Sequence, residues 1–138
     1  MELDIKVYNN MIKNTRLDNV FLNSLNLEPV KEINDENAEV DVDFGYGCTK
    51  FTINENCLQF YPNFKVFLSF NEESVVSFNF VLNVKYTLED ASKYDDIYIE
   101  EFINRNLPIN VWPYARETIS SITTRIGFPA LVIEPYVG

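Results

Sequence analysis

The chain has 138 residues and a formal net charge of −10, from 11 Lys and Arg against 21 Asp and Glu. That length fills one domain, and with 46% hydrophobic residues it can build a core, which excludes wholesale disorder. The charge repels nucleic-acid phosphates and anionic lipids, no run approaches ~18 consecutive apolar residues, and histidine, the usual general base and commonest metal ligand, does not occur.

The opening residues, MELDIKVYNN, lack a basic start followed by an apolar stretch, so they do not read as a secretory signal. Residues 16–27 read as a strand in which Val20-Phe21-Leu22 breaks the alternation, the signature of a bulge. Further on, Ala38, Val40, Val42 and Phe44 alternate with Glu39, Asp41 and Asp43. This predicts an amphipathic strand whose outer face is entirely carboxylate. Between Gly45 and Pro62 the pattern weakens, and 49–53 and 57–61 fit short strands around the polar turn Asn54-Glu55-Asn56. Cys48 and Cys57 form no CxxC and have no histidine to complete a zinc site. They read as reduced thiols of a cytoplasmic protein.

The clearest periodicity comes next. Phe64, Val66, Leu68 and Phe70 alternate with Lys65, Phe67, Ser69 and Asn71. After Asn71-Glu72-Glu73-Ser74, the even positions Val76, Phe78, Phe80, Leu82, Val84, Tyr86 and Leu88 are all apolar. Two such runs around a short polar turn predict an antiparallel hairpin. The second run, 75–88, spans on the order of 45 Å at ~3.3 Å per residue. A strand so long must bend, overhang or meet another subunit.

The last third changes period. Ser92-Lys93-Tyr94-Asp95 resembles a capping box, and Ile97, Tyr98, Phe102 and Ile103 give a helical stripe that Pro108 stops. A second helix opens near Pro113, presents Ala115, Ile119, Ile122 and Ile126 on one face, and is capped by Gly127. Strands followed by helices, without a linker or repeat, predict a single α+β domain with an antiparallel sheet over residues 1–138.

From 110 to 137 the chain reads NVWPYARETISSITTRIGFPALVIEPYV. This resembles the signature of the SecB family of export chaperones, in which an aromatic-Pro-Tyr-Ala-Arg-Glu helix ends at Gly-Phe-Pro and continues into an apolar, proline-punctuated segment. The resemblance implies four antiparallel strands with helices packed on one face, and a tetramer built as a dimer of dimers. It implies an ATP-independent holdase that keeps unfolded polypeptides in apolar grooves and, in classical members, passes them to the ATPase SecA through an acidic sheet face.

On that resemblance Val40, Val42 and Phe44 fall beside the client groove, although any inward strand face reads the same way. Phe78, Phe80 and Leu82 on the overlong strand, with Ile119, Ile122 and Ile126 on the helix, are the expected oligomer interface; the helix residues equally suit a core. Asp18, Glu39, Asp41 and Asp43 form the expected acidic docking face, or simply a solvated one. Two of the family's acidic positions align without gaps on Leu22 and Asn79, and the sequence ends at Gly138 without the final helix and tail of classical members. Weak or no SecA binding is therefore expected. Some family members instead protect the antitoxin of a toxin–antitoxin pair. No carboxylate pair or activated nucleophile stands at catalytic spacing, so no catalytic residue, metal or cofactor is expected. The expected partners are unfolded, preferably basic polypeptides and further copies of the chain in the cytoplasm, with neither nucleic acid nor membrane insertion.

Overall fold

The computed structural model describes residues 2–28, 40–70 and 73–136, and in it the period-two runs become one antiparallel sheet. Its strands are β1 (Arg16–Leu27), β2 (Asp41–Gly47), β3 (Phe51–Ile53), β4 (Cys57–Phe60), β5 (Asn63–Phe70) and β6 (Glu73–Thr87). The order runs β2-β5-β6-β4-β3, with β1 on the opposite edge of β6. The sheet thus has six strands where four were expected, because β3 and β4 form a small hairpin of their own.

The length of β6 finds its explanation inside the chain. One edge of β6 pairs with β1 from Phe78 to Thr87. The other edge is shared, with β5 along 73–81 and β4 along 84–87. The hairpin of β5 and β6 is as expected; Asn71 and Glu72 of its turn lie outside the described residues, as does Glu39.

Two bulges shape β1, one on each side of Val20-Phe21-Leu22: the register slips between Leu17 and Asn19 and again between Leu22 and Ser24. Each slip restores side-chain parity. As a result Leu17, Val20, Leu22, Leu25 and Leu27 stand opposite Tyr86, Val84, Leu82, Phe80 and Phe78, all on one face.

Helices cover that face. No period in residues 2–15 predicts an element, yet α1 (Ile5–Asn14) forms there. Asp4 caps it, its carboxylate accepting from the Lys6 N–H at 2.9 Å and the Val7 N–H at 3.4 Å. Tyr8 and Met11, one helical turn apart, bury against the core, and the Tyr8 hydroxyl donates to the Asn106 side chain.

The two expected C-terminal helices are one, α2 (Asp96–Arg125), with Pro108 and Pro113 inside it. Each proline removes an N–H that would bond the carbonyl four residues earlier, at a cost of about 3 kcal/mol in an exposed helix. Here burial of Leu107, Pro108 and Val111 offsets the loss. The carbonyl freed at Asn104 accepts instead from the Tyr136 hydroxyl at 3.5 Å. The capping box is also corrected: Ser92 and Lys93 lie in a 3-10 turn (Ala91–Lys93), and α2 starts at the Asp95 N-cap without a side-chain cap bond. The far end behaves as expected. Gly127 takes φ +90°, its N–H bonds the Thr124 carbonyl at 3.2 Å, and the Phe128 N–H bonds that of Thr123 at 3.0 Å. This paired closure needs the left-handed backbone that glycine adopts without strain.

Between sheet and α2 the core is aromatic. Phe102 stacks on Phe60 at 5.3 Å and meets the Tyr86 edge at 5.0 Å, and Phe64 stacks on Phe80 at 5.0 Å. The Tyr86 hydroxyl accepts from Asn110 of α2 at 3.0 Å, and the Tyr46 hydroxyl donates to the Ile103 carbonyl at 3.1 Å. Both cysteines are free and half-buried. Among the described residues no helix is long and apolar enough to cross a membrane.

Candidate functional site: two apolar grooves flanking one helix

Four strands side by side, β2-β5-β6-β1, present a face about 19 Å wide at ~4.8 Å per strand, whereas one helix covers about 10 Å. With α2 over the middle, apolar side chains remain uncovered on both flanks.

On the β2 flank a groove of about 510 Å³ is lined by Val42 and Phe44 of β2, Trp112 of α2, and the extended segment 131–136. That segment runs back antiparallel along α2 as a strap. The Leu131 N–H bonds the Thr123 hydroxyl at 2.9 Å, Arg116 donates to the Ile133 carbonyl at 2.9 Å, and the Trp112 indole N–H donates to the Glu134 carbonyl at 2.7 Å. Trp112 therefore has its polar end satisfied by the strap, and Phe44 meets its ring edge-on at 5.1 Å. The wall is apolar and pinned, while on the opposite side stands β2, which among the described residues pairs with β5 alone.

On the β1 flank a second groove of about 460 Å³ runs between Val20, Leu22 and Leu25 and the α2 side chains Tyr114, Glu117, Thr118, Ser121 and Arg125. Leu22 is 47% exposed and Leu25 46%. Such an apolar stripe along a strand edge that has no partner among the described residues is the kind of surface that marks an interaction site.

Of the expected client-contacting residues, Val42 and Phe44 line the first groove, whereas Val40 is half-buried against the core. Of the six expected interface residues, Phe78, Phe80, Leu82, Ile119 and Ile122 are buried within the single chain and Ile126 is half-buried. The β1 leucines, which that expectation omitted, are the exposed apolar ones on this flank. Of the acidic residues, Asp41 and Asp43 share the outer face, two residues apart and exposed. Asp18 is not beside them. It bonds Thr87, whereas Asp43 pairs with Phe67 and through it reaches Ser77; from 77 to 87 along β6 is on the order of 33 Å. The Thr87 hydroxyl and Arg16, 3.0 Å away, hold the Asp18 carboxyl below its usual range. Leu22 faces the helix side opposite Leu82, so of the two positions aligned with the docking charges only Asn79 is on the outer face.

The strap is not predicted by the sequence. Trp112, Ile133 and Tyr136 sit in the recognised motif, but nothing in their spacing shows that the chain doubles back there.

Residues 8–136 match the SecB family, described as the preprotein translocase subunit SecB, and the chain belongs to that family. By fold it is similar to a Mycobacterium tuberculosis SecB-like chaperone solved in complex with a ChAD peptide from the HigA1 antitoxin. The two share 12% identity with a TM-score of 0.82, over 95% of this chain and 97% of that one. A Streptococcus agalactiae protein of unknown function aligns over 87% of this chain and 96% of its own at 9% identity, with a TM-score of 0.45. No curated protein matches the sequence.

Proposed function

We propose that this chain is an ATP-independent holdase that keeps unfolded or aggregation-prone polypeptides in the groove between β2 and the strap. The observation that carries the reading is the pinned apolar wall of Trp112, Leu131 and Ile133 facing Val42 and Phe44. Such a surface binds extended apolar chain without shape specificity, while the net charge of −10 keeps a loaded complex soluble and favours basic clients. Assembly belongs to the same proposal. The exposed Leu22, Leu25 and Leu27 on the free side of β1 pair two copies, and two such dimers form the tetramer of the family.

A second reading has its own support. The M. tuberculosis protein was solved with an antitoxin peptide, and service to one antitoxin uses the same groove for a single client. Suppression of aggregation of several unrelated unfolded proteins, without ATP and near stoichiometric ratio, is the deciding test. Broad suppression is the result expected for a holdase; activity confined to one peptide selects the dedicated role.

A further inference from the structure

Near Val81 the ladder of β6 is interrupted on both sides at once. Towards β1 the register slips between Leu22 and Ser24, which leaves Asn23 as an extra residue. On the other side β4 pairs as far as Phe60 and β5 from Asn63. Tyr61-Pro62 crosses between them, the Pro62 carbonyl accepting from the Leu82 N–H at 3.0 Å. A cavity of about 600 Å³ opens at this level on the outer face, across the sheet from both apolar grooves. Ser24, Val81 and Asn63 stand side by side on three strands as its floor. Asn63 can lean over β2 because Gly47 opposes it: a Cβ at 47 would stand 3.0 Å from the Asn63 carboxamide oxygen. Thr49 and Lys50 form a wall tied by its backbone. The Lys50 carbonyl accepts from the Tyr61 N–H at 3.1 Å and from the Cys48 thiol at 3.5 Å.

The lining differs in chemistry from the rest of the molecule. Two carboxamides, two hydroxyls, a phenol and one ammonium converge there, and no carboxylate does, in a chain with 21 Asp and Glu. Among the described residues none of these polar side chains has a hydrogen bond or ion pair to the protein. Carboxamides and hydroxyls both donate and accept, as sugar hydroxyls do, whereas Lys50 only donates and carries charge. The volume is that of a small-molecule site, more than a bare anion fills. Val81 is the one aliphatic residue of the lining, so an apolar ligand gains little. We infer that this cavity binds a monosaccharide bearing a single anionic group, its hydroxyls on Asn23, Ser24, Thr49 and Asn63 and its anion on Lys50. The site is independent of the holdase reading.

The test is a titration of the isotope-labelled full chain, followed by its amide resonances, with glucose 6-phosphate, glucuronate, glucose and inorganic phosphate as probes. The amides of Ser24, Lys50 and Asn63 are expected to shift with an anionic sugar, and the tighter of the two tells phosphate from carboxylate. Glucose and phosphate alone are each expected to bind about tenfold more weakly or worse. Lys50→Gln, at an exposed position, is expected to weaken the anionic sugar about tenfold, the scale of one charged hydrogen bond, with circular dichroism unchanged. Asn63→Ala is expected to weaken the sugar while leaving the weak binding of phosphate as it was. Phosphate that binds as tightly as the phosphorylated sugar reduces the cavity to an anion site and overturns the inference. Glucose that binds as tightly as either anionic sugar removes the role of Lys50 and does the same. Shifts that survive both substitutions, or no shift with any probe, also overturn it.

Discussion

The ring of Tyr136 lies 5.2 Å from that of Trp112, tilted by 50°, while the same tryptophan donates its indole N–H to Glu134 in the Tyr136 segment. The C-terminal strap and the middle of α2 are thus one packed unit, and the groove wall depends on both. Arg116→Ala removes one of the ties, the bond to the Ile133 carbonyl, at a cost of about 1 kcal/mol. The expected outcome is a small loss of thermal stability together with easier quenching of Trp112 by acrylamide. Quenching unchanged from wild type contradicts a strap held in this way.

Assembly through the β1 flank makes a separate prediction. Leu22→Asp/Leu25→Asp places two charges on a stripe that is already half exposed in the single chain, so the fold is expected to persist while copies repel and the interface loses apolar area. Light scattering across a concentration range is expected to give a multiple of 16.1 kDa for wild type and the monomer mass for the variant, with matching circular dichroism. A wild type that stays monomeric at high concentration removes the assembly proposal.

Three tyrosines resist ionisation. Burial pushes the Tyr86 hydroxyl from 10.0 up to about 12, against the opposing hydrogen bond from Asn110. Burial likewise holds Tyr8 and Tyr46 above the ordinary tyrosine range. Below pH 10 these groups are neutral in both folded and unfolded chains and their contribution to stability is complete. Above pH 10 only the unfolded chain ionises them, so stability falls as pH rises through about 12. Tyrosinate absorbance is expected to rise in two stages, the later one coinciding with loss of the folded circular dichroism signal. A single early stage on a folded protein contradicts the burial of these rings.

Docking to SecA is expected to be weak. Asp41 and Asp43 form a pair on the outer face, Asp18 is remote and already bonded, and Asn79 stands where an acidic residue is expected. Two missing rim contacts of roughly 0.5–1 kcal/mol each weaken binding about five- to thirtyfold. Calorimetric titration with the host SecA at moderate salt measures this. Tight, salt-sensitive binding means that the Asp41 and Asp43 pair suffices and returns the protein to general export.

What was legible in the sequence follows from period and chemistry. Strict alternation from Val76 to Tyr86 reports one buried face whatever packs on it, so β5, β6 and their hairpin are readable. The aromatic-Pro-Tyr-Ala-Arg-Glu block carried the family. The helix at 5–14 leaves a fainter trace, Asp4 as N-cap and Tyr8, Met11 and Ile12 at helical spacing, in a stretch too short for a strong period ahead of the β1 signal. The continuity of α2 was not readable. Local rules stop a helix at Pro108, and only the burial of Leu107 and Val111 against the sheet overrides them. The groove is legible by half. Val42 and Phe44 show inward parity, whereas the opposing wall depends on a reversal after Gly127 that no periodicity reports, with the strap bonding back to Thr123, Arg116 and Trp112.

The central claim, that polypeptide is held between β2 and the strap, is tested most directly by the stoichiometry of aggregation suppression in Val42→Asp. Val42 is 39% exposed on an edge strand, so the variant is expected to fold and keep the wild-type mass, while a charge in the apolar groove raises the amount of chaperone needed at least severalfold. A folded Val42→Asp protein that prevents aggregation at wild-type stoichiometry contradicts the account.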